Sequence, residues 1–152
     1  MAPAAWPRMG IAVLALVGIF VSAYLSLYHL GGIGTLQCGF GGCDLVQASE
    51  YAYFLGLPVA LWGLGGYATI FGVAMAGLQP RWAEHRPIAL ALLGLSAIAL
   101  DVSAYLTYLE AAVIHAWCQW CVVSAILVAL IFLLSLAGLR PASAPNLDPN
   151  ST

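Results

Sequence analysis

The sequence predicts an all-α integral membrane protein, a bundle of four transmembrane helices, and three observations carry that expectation. Of 152 residues, 63% are hydrophobic and 7% charged, with a mean hydropathy of +0.98. A water-soluble domain carries about 25% charged residues, so too few polar side chains exist here to cover a soluble surface. The apolar residues gather into four runs, each near the roughly 20 residues that cross a hydrocarbon core. The four arginines, which with six acidic residues and no lysine give a net charge of −2, all fall at the ends of those runs. Such a chain has no basic face for a phosphate backbone, which argues against nucleic acid and leaves the lipid bilayer as its surroundings.

The first run, Met9 to Leu30, is 22 residues without Asp, Glu, Lys or Arg. At about 1.5 Å per residue it spans the bilayer with some tilt. It is longer than the apolar core of a signal peptide, and no small-residue cleavage site followed by a soluble domain comes after it, so it is expected to be retained. The second and third runs, Leu57 to Leu78 and Pro87 to Leu109, place Pro58 and Pro87 in their first turns, where a missing N–H does no damage. Trp117 to Leu139 is the fourth. Positive residues near span ends stay on the cytoplasmic side. Arg8 precedes the first span, Arg81 and Arg86 join the second to the third, and Arg140 follows the fourth, so all of them fall on one face. The expected organisation is a cytoplasmic N-terminus over residues 1–8, a membrane domain over 9–139 and a cytoplasmic tail over 140–152. The tail is rich in Pro, Ala, Ser and Asn and has nothing to pack, which predicts disorder. The external loop 31–56 and the connection Glu110 to Ala116 contain no Lys or Arg.

That topology puts Cys38 and Cys43 in the external loop and Cys118 and Cys121 at the external end of the fourth span. Disulfides form and persist on this side of a membrane. In Cys118-Gln119-Trp120-Cys121 two thiols stand three residues apart at a helix start. Partial positive charge and free N–H groups at that position stabilise a thiolate, so the pair is expected to be reactive. Cys118, nearer the loop, suits exchange with another disulfide, whereas Cys121 lies about one turn deeper, where a lipid-soluble oxidant arrives. The segment Cys38-Gly39-Phe40-Gly41-Gly42-Cys43 encloses four residues, three of them glycine. Glycine permits the tight loop that a short disulfide demands and lets it move afterwards. A mobile disulfide passes oxidising equivalents by thiolate attack through a mixed disulfide. Two plainer readings compete: cysteines as inert apolar fillers, and a four-thiolate zinc site, which would need reduced thiols on an oxidising face.

The remaining motifs are Cys43-Asp44-Leu45-Val46 leading to Ser49, then Phe54-Leu55-Gly56-Leu57-Pro58-Val59-Ala60, Gly63 and Tyr67, then Ser103-Ala104-Tyr105-Leu106, and finally Trp117-Cys118-Gln119-Trp120-Cys121. From about Ser22 to Ala125 this ordered set resembles the vitamin K epoxide reductase family, in particular its bacterial disulfide-forming members. The resemblance implies four helices around a quinone of the ubiquinone or menaquinone type. It implies Cys38 and Cys43 as a loop shuttle, Cys118 and Cys121 as the redox centre, a mixed disulfide between Cys43 and Cys118, and Cys121 facing the quinone. It further implies that Ser49 lies near the redox centre, on a short helix of the external loop over the quinone pocket; a capping or turn serine is the plainer reading. Relatives with a fused thioredoxin-like domain carry it on a fifth span. With four spans, this chain is expected to use a separate external thioredoxin-like oxidoreductase, in a bacterial inner membrane with both termini cytoplasmic. Animal members carry an Asn near the start of the second span and a Tyr one turn after the CxxC, where this chain has Val59 and Ala125. That departure counts against epoxide reduction.

Among the other polar and aromatic residues, Asp101, Tyr105 and Tyr108 share a face of the third span. An ionisable residue inside a span is a functional candidate, so Asp101 joins Ser49, Trp62, Trp117 and Trp120 as expected quinone-site residues. A structural carboxyl and an interfacial aromatic belt are the plainer explanations. The expected activity is a membrane thiol:quinone oxidoreductase that generates disulfides. The alternatives are reduction of vitamin K quinone or epoxide with the same cysteines, and a non-enzymatic assembly or metal-binding protein. A different quinone-dependent bundle, with its CxxC in the first external loop, has the wrong cysteine order.

Overall fold

A computed structural model describes residues 5–139, so the expected tail and the first four residues lie outside the described residues. Helix α1 runs over Ala5–His29 and is followed by a loop containing the short helix α2, Cys43–Gln47. A 3₁₀ turn, Glu50–Ala52, leads into a hairpin of β1, Tyr53–Phe54, against β2, Leu57–Pro58. Leu55 and Gly56 make its turn at φ 53° and 79°, the doubly left-handed arrangement that suits a two-residue hairpin. Then come α3, Val59–Leu78, α4, Arg86–Leu109, and α5, Gln119–Gly138. The chain of α4 continues through a π-helical turn, Glu110–Ile114, where a bare connection was expected.

Four of these helices are long and apolar enough to cross a membrane, which makes the chain an all-α, four-helix membrane protein. Their bounds differ from the expected spans by a few residues. Pro87 occupies the first turn of α4, while Pro58 sits just before α3, as its N-cap and the last residue of β2.

Helix α1 is packed along α3 and also meets α5, while α3 touches α4 far less. The buried face of α1 includes Ile11, Ala15, Gly18, Ser22 and Ser26, three or four residues apart. Lipid tails are as apolar as leucine, so helices in a bilayer associate through close backbone approach, which small residues allow. Gly18 shows this directly, since a Cβ there would run into the ring of Tyr67. The Tyr67 hydroxyl in turn donates to the carbonyl of Ser124 on α5 at 3.0 Å.

One end of the bundle is closed by Arg8. It is 6% exposed, and its Nη1 donates to Gly77 O at 2.7 Å and to Ala83 O. A helix leaves its last carbonyls without partners, and a cation is the natural donor for them. At the other end a second cluster joins Leu25, Leu36 and Val46 to Cys43 and Cys118.

Candidate functional site

The loop carrying the first cysteine pair is fastened to the start of α5 by backbone groups. Gly41 forms an isolated antiparallel bridge with Cys118, and Gly42 N donates to Trp117 O at 2.8 Å. Gly41 has φ 85°, and a Cβ there would collide with the Trp117 carbonyl oxygen, so the approach requires glycine on both counts. Gly39 N donates to Gln119 Oε1 at 2.7 Å and Trp120 Nε1 to Gln37 O at 2.9 Å. The glycines expected to give the loop freedom therefore also dock it.

Cys38 and Cys43 are joined as a disulfide, with Cα atoms 6.4 Å apart. Cys43 opens α2 and is buried; Cys118, the N-cap of α5, is fully buried in the same cluster. Cys118 and Cys121 are free thiols, Cys121 standing three residues into the helix. The amide of Gln47 lies over both, with Nε2 3.6 Å from Cys118 Sγ and 3.5 Å from Cys121 Sγ. Its oxygen accepts from His29 Nε2 at 2.7 Å, and His29 Nδ1 meets the Tyr53 hydroxyl at 3.3 Å. Because that oxygen only accepts, Nε2 carries the imidazole proton and the Gln47 NH₂ is turned toward sulfur.

A hydrogen bond from the Cys121 thiol pulls the Cys118 thiol down to about 6, against burial and the charge of Glu110; Gln47 adds to the pull. The helix N-terminus acts in the same direction. Glu110, 4% exposed, accepts the Cys118 backbone N–H at 3.0 Å through Oε2. It stands on the inward stripe of α4, four residues beyond Leu106, where the π turn begins, and His115 then reverses the chain at φ 55° before Cys118. Turns of this kind recur at functional sites.

A cavity of about 370 Å³ lies between α1, α3, α4 and α5 beneath α2. Cys121, Gln47, Ser49, Thr107 and Glu110 are among its polar lining, and Ile70, Ile98, Ala99 and Val128 are among its apolar walls. Ligand pockets of this kind measure about 300–1,000 Å³ and combine apolar walls with a few converging polar groups. The donor set and the size fit a quinone head group, with Cys121 as the one sulfur on the wall.

Of the residues expected at a quinone site, Ser49 and Trp62 line this cavity. Ser49 Oγ also donates to Val46 O at 2.6 Å, so it closes α2 as well. Trp62 Nε1 donates to Phe54 O at 3.1 Å, tying α3 to the hairpin. Trp117, Trp120 and Asp101 do not line it. Trp117 is 45% exposed and serves the loop through its carbonyl, and Trp120 packs on Tyr24 with ring centroids 5.2 Å apart. Asp101 is exposed, because the inward stripe of α4 runs through Ala99, Ser103, Leu106 and Glu110. Sequence reasoning missed Gln47 and Glu110. The signal for Gln47 was its i, i+4 spacing from Cys43; for Glu110 it was a carboxyl at the border of an apolar run.

The model of the vitamin K epoxide reductase family matches residues 9–136. With that match over most of its length, and with a disulfide and a dithiol brought together beside a membrane cavity, the chain belongs to the vitamin K epoxide reductase family of membrane oxidoreductases.

Proposed function

We propose that the protein is a thiol:quinone oxidoreductase that generates disulfides on the external face of a bacterial inner membrane. Members of the family use quinones as electron partners, and a ubiquinone or menaquinone is the acceptor here. The observation that carries the reading is a division of labour between two adjacent sulfurs. Cys118 is buried with Cys43 under the docked loop, whereas Cys121 opens onto the cavity.

A reduced thioredoxin-like protein attacks the Cys38–Cys43 disulfide and leaves as its own disulfide, reducing the loop pair. Cys43 then exchanges with Cys118 of the oxidised Cys118–Cys121 pair through a mixed disulfide, and Cys38 resolves it. The loop is reoxidised and two electrons rest on Cys118 and Cys121. That distribution is the one present in the structure, with a loop disulfide and a helix dithiol. The quinone supplies the two-electron sink; Gln47 orients and stabilises sulfur, and the apolar walls exclude water. The arginine pattern supports termini on the cytoplasmic face and the redox site outside. Val59, on the cavity wall, offers no side-chain hydrogen bond where animal members carry Asn, which favours quinone reduction over epoxide reduction.

Purified protein in lipid nanodiscs, given a reduced thioredoxin-like protein and ubiquinone or menaquinone, should oxidise one dithiol for each quinone consumed. Absence of electron transfer to either quinone would overturn the proposal.

A further inference from the structure

We infer that Glu110 accepts the proton of Cys121 as the Cys118–Cys121 disulfide closes and releases it into the cavity, an assignment that builds on the thiol:quinone reading above. Three observations point to it. Glu110 is the only carboxylate among the described residues that line the cavity, and it shares that wall with Cys121. Glu110 is 4% exposed, and its Oε2 accepts the backbone N–H of Cys118, three residues before Cys121, at 3.0 Å. Among the described residues no basic side chain neutralises it: Arg8 is bound to Gly77 and Ala83 at the far end of the bundle, and Arg81 and Arg86 lie beside that same end. A buried carboxylate without a cation is costly to keep ionised, so a proton is readily taken up there.

Four other polar groups of the cavity are already engaged. Gln47 donates to the two sulfurs, Ser49 to Val46 O, Thr107 to Ser103 O and Tyr67 to Ser124 O. None of these is a base. The titratable groups around Glu110 are Cys118 and Cys121 of α5, with Tyr51 of the 3₁₀ turn and Tyr67 of α3 on the same cavity. From α2 the cavity receives uncharged Val46 and Gln47 while Asp44 is exposed, and His29 of α1 connects only through Gln47.

The proton and electron count is closed. Two electrons leave the sulfurs for the quinone acceptor as the S–S bond forms. Cys118, already a thiolate, has given its proton to water, and the Glu110 carboxylate takes the remaining proton from Cys121 Sγ. That proton passes to the same acceptor, and water returns the second.

The test compares Glu110→Gln with Glu110→Asp. A glutamine oxygen still accepts the Cys118 N–H, so a purely structural role survives in Glu110→Gln while proton acceptance does not. The first readout needs no quinone: diamide closes the Cys118–Cys121 pair, its loop disulfide intact, and free thiols are counted over time. Diamide meets the pair through the cavity, so Cys121 loses its proton before its sulfur attacks, and the Cys118 thiolate then closes the disulfide and displaces the hydrazine. At neutral pH closure should be about 100-fold slower in Glu110→Gln, with the deficit shrinking as rising pH lets hydroxide replace the base, and within about tenfold of the parent in Glu110→Asp. Quinone reduction should follow the same order. Glu110→Gln closing as fast as the parent, or Glu110→Asp closing as slowly as Glu110→Gln, would overturn the inference. Should Glu110→Gln not fold, the closure rate and pH profile of Glu110→Asp decide alone. Closure that depends on Glu110 in a protein that never reduces quinone would sink the proposed function and leave this assignment standing.

Discussion

The cavity bordering Arg8 measures about 10 Å³ and the one bordering Cys121 about 370 Å³, at opposite ends of one bundle. Near Arg8 the small residues are crowded: a Cβ on Gly10 would stand 2.9 Å from Leu134, and one on Gly77 2.9 Å from Ile88. Near the cysteines, Gly66 has no neighbour within 4 Å of the place its Cβ would take. Glycine thus brings helices together near Arg8, while Gly66 leaves room in the cavity wall. Polar side chains divide in the same way. Arg8 is engaged with backbone carbonyls, which stabilises the fold, whereas Gln47 donates to the two sulfurs and Glu110 accepts the backbone N–H of Cys118. On the proposed function one end holds the helices and the other does chemistry, and substitutions should separate the two.

The largest expected effect is at the cavity. Cys121→Ser should lower quinone-linked thiol oxidation by at least about 1,000-fold, down to background, with thermal unfolding barely changed; quinone reduction at the parental rate would break the division. Next is the docking strip. Gly41→Val meets both the left-handed backbone and the Trp117 carbonyl, so it should detach the loop from α5. Exchange between the cysteine pairs should slow by about 10- to 100-fold, by analogy with misplaced reacting groups, while quinone still oxidises a chemically reduced Cys118–Cys121 pair. Rapid-quench trapping of the two pairs measures this.

Arg8→Met belongs to the other end. It strands two carbonyls and should lower stability by about 1–3 kcal/mol, read by denaturation in detergent, with turnover per folded molecule unchanged. The smallest effect concerns proton affinity. The Cys118 thiolate absorbance should appear with a midpoint at about pH 6, the thiol form dominating below it and the reactive thiolate above it. Gln47→Leu removes a donor to the thiolate and should move that midpoint upward. An unmoved midpoint would mean that Gln47 fixes geometry only.

The membrane helices were legible because each apolar run is long, and the cysteine pairs because thiols at such spacing have few other uses. The cavity was not. Asp101 drew attention as a carboxyl inside an apolar run, yet rotation of α4 turns it outward. Glu110, nine residues further on and at the run's edge, falls on the inward stripe four residues beyond Leu106, and the π turn that begins there is announced by no local pattern. Trp120 and Trp117 are conspicuous aromatics, but the loop claims the indole N–H of one and the carbonyl of the other. Sequence spacing identifies which residues share a helix face; which face meets the cavity depends on how four helices pack.

Arg8 has a consequence in time. Its partners, Gly77 and Ala83, lie some 70 residues later in the chain, so during synthesis its guanidinium stays hydrated while α1 enters the membrane. Whatever part it takes in orienting the first helix, it takes in that interval, as a free charge among lipid headgroups. Once α3 and the turn after it emerge, the same group is withdrawn from the headgroups and becomes the latch of the finished bundle.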